Sequence, residues 1–248
     1  MCLFEKANGM TSINFKEKQI LCSGVEDLPE SCNEGCILLI TAGLGDLSGV
    51  ELPGTERERA SKMEGLTARR FLAARRVVRA MFSKLSGIPT EKIALDLDAN
   101  GKPFLDGRDY QLSVAHSGEM VAVAVSRSQI GVDLEIEREV DVLALAQRFF
   151  SPEEASILGR NADPALFFRL WTCREAAAKA DGRGLAKLLG QTRVAEEANS
   201  TGGIDVTIGG ESWIACHCRE SARVHVALAF REQPSLISWS DLRREVIL

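Results

Sequence analysis

The heptapeptide GVDLEIE, Gly131 to Glu137, constrains the fold more than any other stretch. Val132, Leu134 and Ile136 alternate with Asp133, Glu135 and Glu137, a period of two that predicts a strand with one apolar and one acidic face. Neighbouring acids on such a face stand about 6.6 Å apart by strand rise. Two charges at that separation repel by about 2.5 kcal/mol at an effective dielectric of about 20. Water, a cation or a proton must oppose that repulsion.

The rest of the chain predicts an α+β protein. CILLITAG (36–43), QLSVAHS (111–117) and MVAVAVS (120–126) read as strands. LTARRFLAARRVVRAMFSKLSG has apolar residues at helical spacing and stops at Gly87. Its other face carries Arg69, Arg70, Arg75, Arg76 and Arg79, a row that suggests anion binding. Ser151-Pro152-Glu153-Glu154 is a helix start with a serine cap, and Asp163-Pro164 starts a second helix that runs to Asp181-Gly182. TRVAEE, IDVTIGG, SWIACHC and VHVALAF follow as further segments, the last an alternating strand. Each half has a long helix followed by strands, so the expectation is two related α+β halves, residues 1–128 and 129–248, with a site between them.

Composition narrows the function. A net charge of −5 over 248 residues argues against general nucleic-acid binding. No apolar run reaches the roughly 20 residues of a membrane span, and no signal peptide is visible. Seven cysteines, an odd number, then predict reduced thiols and a cytoplasmic location. The spacing of Cys32, Cys36 and Cys216-His217-Cys218 does not match common zinc patterns.

A second charged cluster lies in LWTCREAAAKADGRGL. Glu175 and Lys179 are four apart, on one helix face. Alone, such a pair is an ordinary surface ion pair, and GVDLEIE alone is an ordinary half-exposed sheet face. Together they offer oxygen ligands for a hard divalent cation and a lysine for a phosphate, the parts of a phosphoryl-transfer site. Glu137 reads as a solvated strand end.

GVDLE and WTCREAAAKADGRGL, about forty residues apart, resemble the two signature motifs of the surfactin-synthetase-type 4′-phosphopantetheinyl transferases. GKPFL, LSVAHSGEMVAVAVS and the arginine-bearing RRFLAARRVVRAMFS are similar to further segments of that family, in the same order. The resemblance runs from about residue 55 to residue 190. It implies two pseudo-symmetric α/β halves in one chain, with coenzyme A as substrate in the cleft between them. It implies transfer of the phosphopantetheine arm to a serine of an apo acyl, peptidyl or aryl carrier protein by a monomeric enzyme without membrane or nucleic-acid partners. Carried over by motif position, Asp133, Glu135 and Glu175 ligate Mg²⁺, with Mn²⁺ as the other cation such a site accepts. Glu175 also takes the serine proton and Lys179 meets the phosphate. Lys62, Arg70, Lys102, His116 and Ser117 hold coenzyme A phosphates. Where the family usually has lysine before the motif glutamate, this chain has Arg174. The competing readings are another Mg²⁺-dependent phosphoryl-transfer enzyme or nuclease, and a non-catalytic carrier-protein-binding module.

Overall fold

The structure, a computed structural model, describes residues 4–7, 10–13, 25, 28, 32–97, 103–105, 110–184, 188–199, 202–221 and 223–242. The chain divides between Ser128 and Gln129 into two compact units. The α+β expectation holds: each unit packs a long helix on a sheet.

The first unit opens with a hairpin, β1 (Phe4–Ala7) and β2 (Met10–Ile13). Then come β3 (Cys36–Gly43), α1 (Gly54–Ser61), α2 (Gly65–Ser86), β4 (Leu95–Leu97), β5 (Pro103–Leu105), β6 (Gln111–Ser117) and β7 (Met120–Ser126). β3, as its apolar run requires, is buried along nearly its whole length, antiparallel to β7. β6 lies on the far side of β7. Helix α2 lays Val77, Val78, Met81 and Phe82 against β3 and β7. It ends at Gly87, whose φ of 67° is the left-handed turn that glycine adopts without steric cost.

The second unit is built on Gln129–Gln233. The acidic heptapeptide forms β8 (Ile130–Ile136), the edge of a five-stranded sheet. After it come α3 (Val142–Phe149), α4 (Pro152–Asn161) and α5 (Pro164–Asp181), then β9 (Thr192–Ala198), β10 (Ile204–Ile208), β11 (Glu211–Ser221) and β12 (Val224–Phe230). The sheet runs β8-β12-β11-β10-β9, every neighbouring pair antiparallel. Helix α4 starts on a complete capping box: the Glu154 N–H donates to Ser151 Oγ at 3.2 Å and the Ser151 N–H donates to Glu154 Oε2 at 2.9 Å. Helix α3 is not among the helices expected from the sequence. It is capped by Asp141, which accepts from the Ala144 N–H at 3.0 Å.

The expected half 129–248 needs one correction. The last described strand, β13 (Leu236–Asp241), runs parallel to β3 as the edge of the first unit's sheet. Trp239 is wholly buried there and donates to Thr41 Oγ1 at 3.1 Å. LISWSD alternates too weakly to announce which sheet it will join, because its pairing depends on a strand some two hundred residues away. Among the described residues no helix is long and apolar enough to cross a membrane.

Candidate active site

Helix α5 lies across β8, β12 and β11, and its slim alanine face makes this possible. Ala176, Ala177, Ala178 and Ala180 are all buried. Gly131 lies directly beneath them: a β-carbon there would collide with the Ala176 carbonyl oxygen and stand 2.6 Å from the Ala180 nitrogen. Two positions further along the same strand face is Asp133, which therefore sits close under the helix.

That approach brings the two charged motifs together. Lys179 Nζ donates to Asp133 Oδ1 at 2.6 Å. Lys179 thus reaches the strand, and the surface pair with Glu175 that helical spacing suggests is not the contact it makes. Asp133 is almost fully buried, and its Oδ2 has no hydrogen-bond partner among the described residues. Burial pushes the Glu175 carboxyl up to about 8, and the nearby charges of Asp133 and Glu135 add to the shift. Burial likewise pushes Asp133 up, to about 6, against the pull of Lys179. Burial disfavours the charge on Lys179, but Asp133 and Glu175 outweigh it and hold its proton more tightly than usual. Burial first, and the mutual repulsion of the acids second, raise the affinity of Asp133 and Glu175 for protons beyond what Lys179 offsets.

Glu135 is half-buried and accepts from Arg138 Nη1 at 2.8 Å. Among the described residues no three His, Cys, Asp or Glu side chains already stand as a metal-holding group. As a donor set, however, Asp133, Glu135 and Glu175 suit a hard cation. The orphaned Asp133 Oδ2 and the proton-holding Glu175 are the features a divalent ion would relieve.

Glu137 is not the solvated strand end that its sequence position suggests. Its Oε1 accepts from His225 Nε2 at 2.7 Å and from Arg219 Nη2 at 2.6 Å. His225 is almost completely buried and packs against the Phe168 ring. Its Nδ1 lies 2.9 Å from His217 Nε2. With His225 neutral and its Nε2–H donated to the carboxylate, its Nδ1 accepts from the His217 Nε2–H. Burial disfavours protonation of both histidines, which fits that assignment. The third acid of the heptapeptide is thus answered by a guanidinium and an imidazole. Nothing in Glu137's neighbourhood along the chain could have announced partners more than eighty residues away.

In the first unit, Arg70 Nε donates to the Gly118 carbonyl at 2.8 Å, beside the turn that follows His116 and Ser117. His116 is exposed and Ser117 buried. Lys62, exposed at the end of α1, pairs with Glu58 at 2.8 Å. Lys102 lies outside the described residues. The arginine row on α2 is corrected. Arg79 is buried and donates to both oxygens of Glu56, at 3.0 and 3.1 Å, and to the Thr90 and Ile93 carbonyls. Arg75 is buried 3.8 Å from the same glutamate, and Arg69 pairs with Glu119 at 2.7 Å. Much of this row is structural, because Glu56 arrives from a helix that the arginine periodicity does not reveal. Cys32, Cys36, Cys173, Cys216 and Cys218 are buried free thiols.

Residues 129–229 match the model of the 4′-phosphopantetheinyl transferase superfamily. The chain is 38% identical over 129 residues to the 4′-phosphopantetheinyl transferase HetI of Nostoc sp., covering 48% of this chain and 54% of that protein. It is 32% identical over 142 residues to the 4′-phosphopantetheinyl transferase psf-1 of Bacillus pumilus, covering 55% of this chain and 60% of the relative. It is also 32% identical over 123 residues to the 4′-phosphopantetheinyl transferase Sfp of Bacillus subtilis, covering 48% and 54%. The matches span little more than half the length of these relatives. The matched residues are those that form β8, α5 and the sheet they pack on, and over residues 129–229 the chain is similar to the 4′-phosphopantetheinyl transferase superfamily.

Proposed function

We propose that this chain transfers the 4′-phosphopantetheine arm of coenzyme A to a serine hydroxyl of an apo carrier protein, releasing adenosine 3′,5′-bisphosphate. The observation that carries the reading is the meeting of Asp133, Glu175 and Lys179 under one helix, within the residues that match the transferase superfamily. The names of the relatives support the same activity.

Asp133, Glu135 and Glu175 would hold Mg²⁺, or Mn²⁺ in its place. When bound, the ion neutralises the pyrophosphate and lowers the cost of charge on the leaving oxygen. The remaining work belongs to this chain's own groups. Lys179 Nζ keeps its proton against burial and presents a fixed positive charge to the phosphate. Glu175, a carboxyl whose affinity for a proton is raised toward neutral pH, is suited to take the serine proton at its carboxylate oxygen. Asp133 is almost fully buried, so little water competes with Lys179 for its carboxylate. Arg70, His116 and Ser117, together with Lys62 and Lys102, hold the nucleotide phosphates in this reading. A nuclease reading is less suited, because Glu175 and Lys179 stand four apart on helix α5 rather than two apart on a strand, the spacing common in such sites.

The test is transfer itself. The chain is incubated with Mg²⁺, labelled coenzyme A and several apo carrier proteins. The expected result is a carrier mass gain of one phosphopantetheine that disappears with EDTA. A folded chain that labels none of the carriers would sink the proposal. Single alanine variants at Arg70 and His116 should raise KM for coenzyme A.

A further inference from the structure

Arg174 faces away from Glu175. Successive helical residues are about 100° apart, so Glu175 looks toward β8 while Arg174 enters the other side of the unit. Its side chain is wholly buried. Nη2 donates to Glu154 Oε2 at 2.7 Å, and Nη1 donates to the Phe149 carbonyl at 3.1 Å and the Thr192 carbonyl at 3.0 Å. The guanidinium carbon lies 4.3 Å from the centre of the Phe150 ring. Glu154 is saturated in turn: it also accepts from the Ser151 N–H at 2.9 Å and the Val194 N–H at 2.8 Å. One fork therefore joins α5 to the end of α3, the start of α4 and the start of β9.

We infer that Arg174, acting through Glu154, is a positioning residue that sets the axial rotation of α5 and so aims Glu175 at Asp133. On one side Gly131 lets the helix descend until backbone meets backbone. On the other the Arg174 fork fixes which residues face the strand. Phe167, Phe168 and Leu170 seat the first half of the helix, but along the turns that carry Glu175 and Lys179 the buried neighbours are alanines of uniform size, which by themselves define its rotation weakly. Arginine suits the task because its planar donors point in several fixed directions, whereas a lysine offers one nitrogen. A displacement of about 1 Å at a reacting group can cost on the order of 10²-fold in rate, so a slight roll is enough to be measured.

The inference rests on the transfer activity proposed above, and its test separates the two. Three chains are compared with wild type for kcat, KM for coenzyme A, melting temperature and the rise in melting temperature on adding Mg²⁺. Arg174→Lys should lower kcat about 3- to 10-fold with KM unchanged, since it gives up part of the fork. Arg174→Met, which strands the Glu154 charge, should lose both stability and kcat. The double variant Arg174→Met/Glu154→Gln removes both charges but keeps an amide oxygen for the backbone N–H groups that Glu154 serves. It should recover most of the melting temperature lost in Arg174→Met, stay about 10²-fold down in kcat, and lose at least half of the Mg²⁺-induced rise. Recovery of kcat and of the Mg²⁺ response together with stability in the double variant would overturn the inference. So would wild-type kcat in Arg174→Lys, or a raised KM at unchanged kcat, which would put Arg174 on the nucleotide. A double variant that fails to fold leaves the decision to Arg174→Lys. If the wild-type chain transfers nothing, the functional reading fails by itself, and the Mg²⁺ response of the well-folded variants decides the inference.

Discussion

Gly131 and Ala176 touch backbone to backbone, and this contact sets the distance between the acidic strand and the helix that carries Glu175 and Lys179. Gly131→Ala would drive a methyl group into the Ala176 carbonyl. Overpacking of this kind costs about 1–3 kcal/mol. The helix must lift, which lengthens the reach of Lys179 to Asp133. The expected outcome is a lower melting temperature and a loss of transfer greater than tenfold. Thermal denaturation and a carrier-labelling assay check both, and unchanged values would show that the close approach is not needed.

Lys179 and Asp133 form a part-buried ion pair that also faces Glu175. Removing one partner leaves the other charge without its counterion in a poorly solvated place, which typically costs 3–5 kcal/mol unless the group neutralises. Lys179→Met should therefore shift Asp133 and Glu175 further toward their protonated forms and reduce transfer by about 10²–10³-fold, the loss typical when one group stabilising the transition state is removed. Asp133→Asn should lower transfer to a similar degree while keeping the fold. Steady-state kinetics on both variants and on the double variant measures the coupling. Strictly additive effects on log kcat/KM would mean that the two residues do not act as a pair.

Stability without metal should fall as the solution becomes more alkaline. Glu175 and Asp133 hold protons in the folded chain at higher pH than their ordinary values of 4.5 and 3.8. Between those values and about 8 the folded state therefore binds more protons than the unfolded state, so the slope of stability against pH is negative. The contribution is fully present below the ordinary values and is lost as pH rises through about 6 for Asp133 and about 8 for Glu175. A divalent ion favours the ionised acids, so Mg²⁺ should raise the melting temperature more at pH 8.5 than at pH 6. Glu175→Gln should flatten the metal-free profile over this window. A Mg²⁺ effect independent of pH would argue against cation binding at these carboxylates.

Elements whose signals are local are legible in the order of residues alone. The apolar run of β3, the periodicity of α2 and its glycine stop, the Ser151–Glu154 cap and the Asp163–Pro164 start each occupy consecutive residues. The site is legible to the same extent: Asp133, Glu135, Glu175 and Lys179 are marked by alternation on a strand and by spacing on a helix. The arginines of α2 mislead, since their count along the helix is local but the glutamate that satisfies Arg75 and Arg79 belongs to another element.

The sequence by itself determined the α+β class, the acids on one strand face, and the helix with glutamate and lysine one turn apart, because each follows from backbone periodicity over a few residues. Only the tertiary structure decided what each charge meets. It set Lys179 on Asp133, closed His225 and Arg219 over Glu137, buried Arg174 on Glu154, and returned β13 to the sheet of the first unit. Those pairings join residues distant along the chain. They are fixed by packing and by the cost of burying an unanswered charge, and neither is written in the order of neighbouring residues.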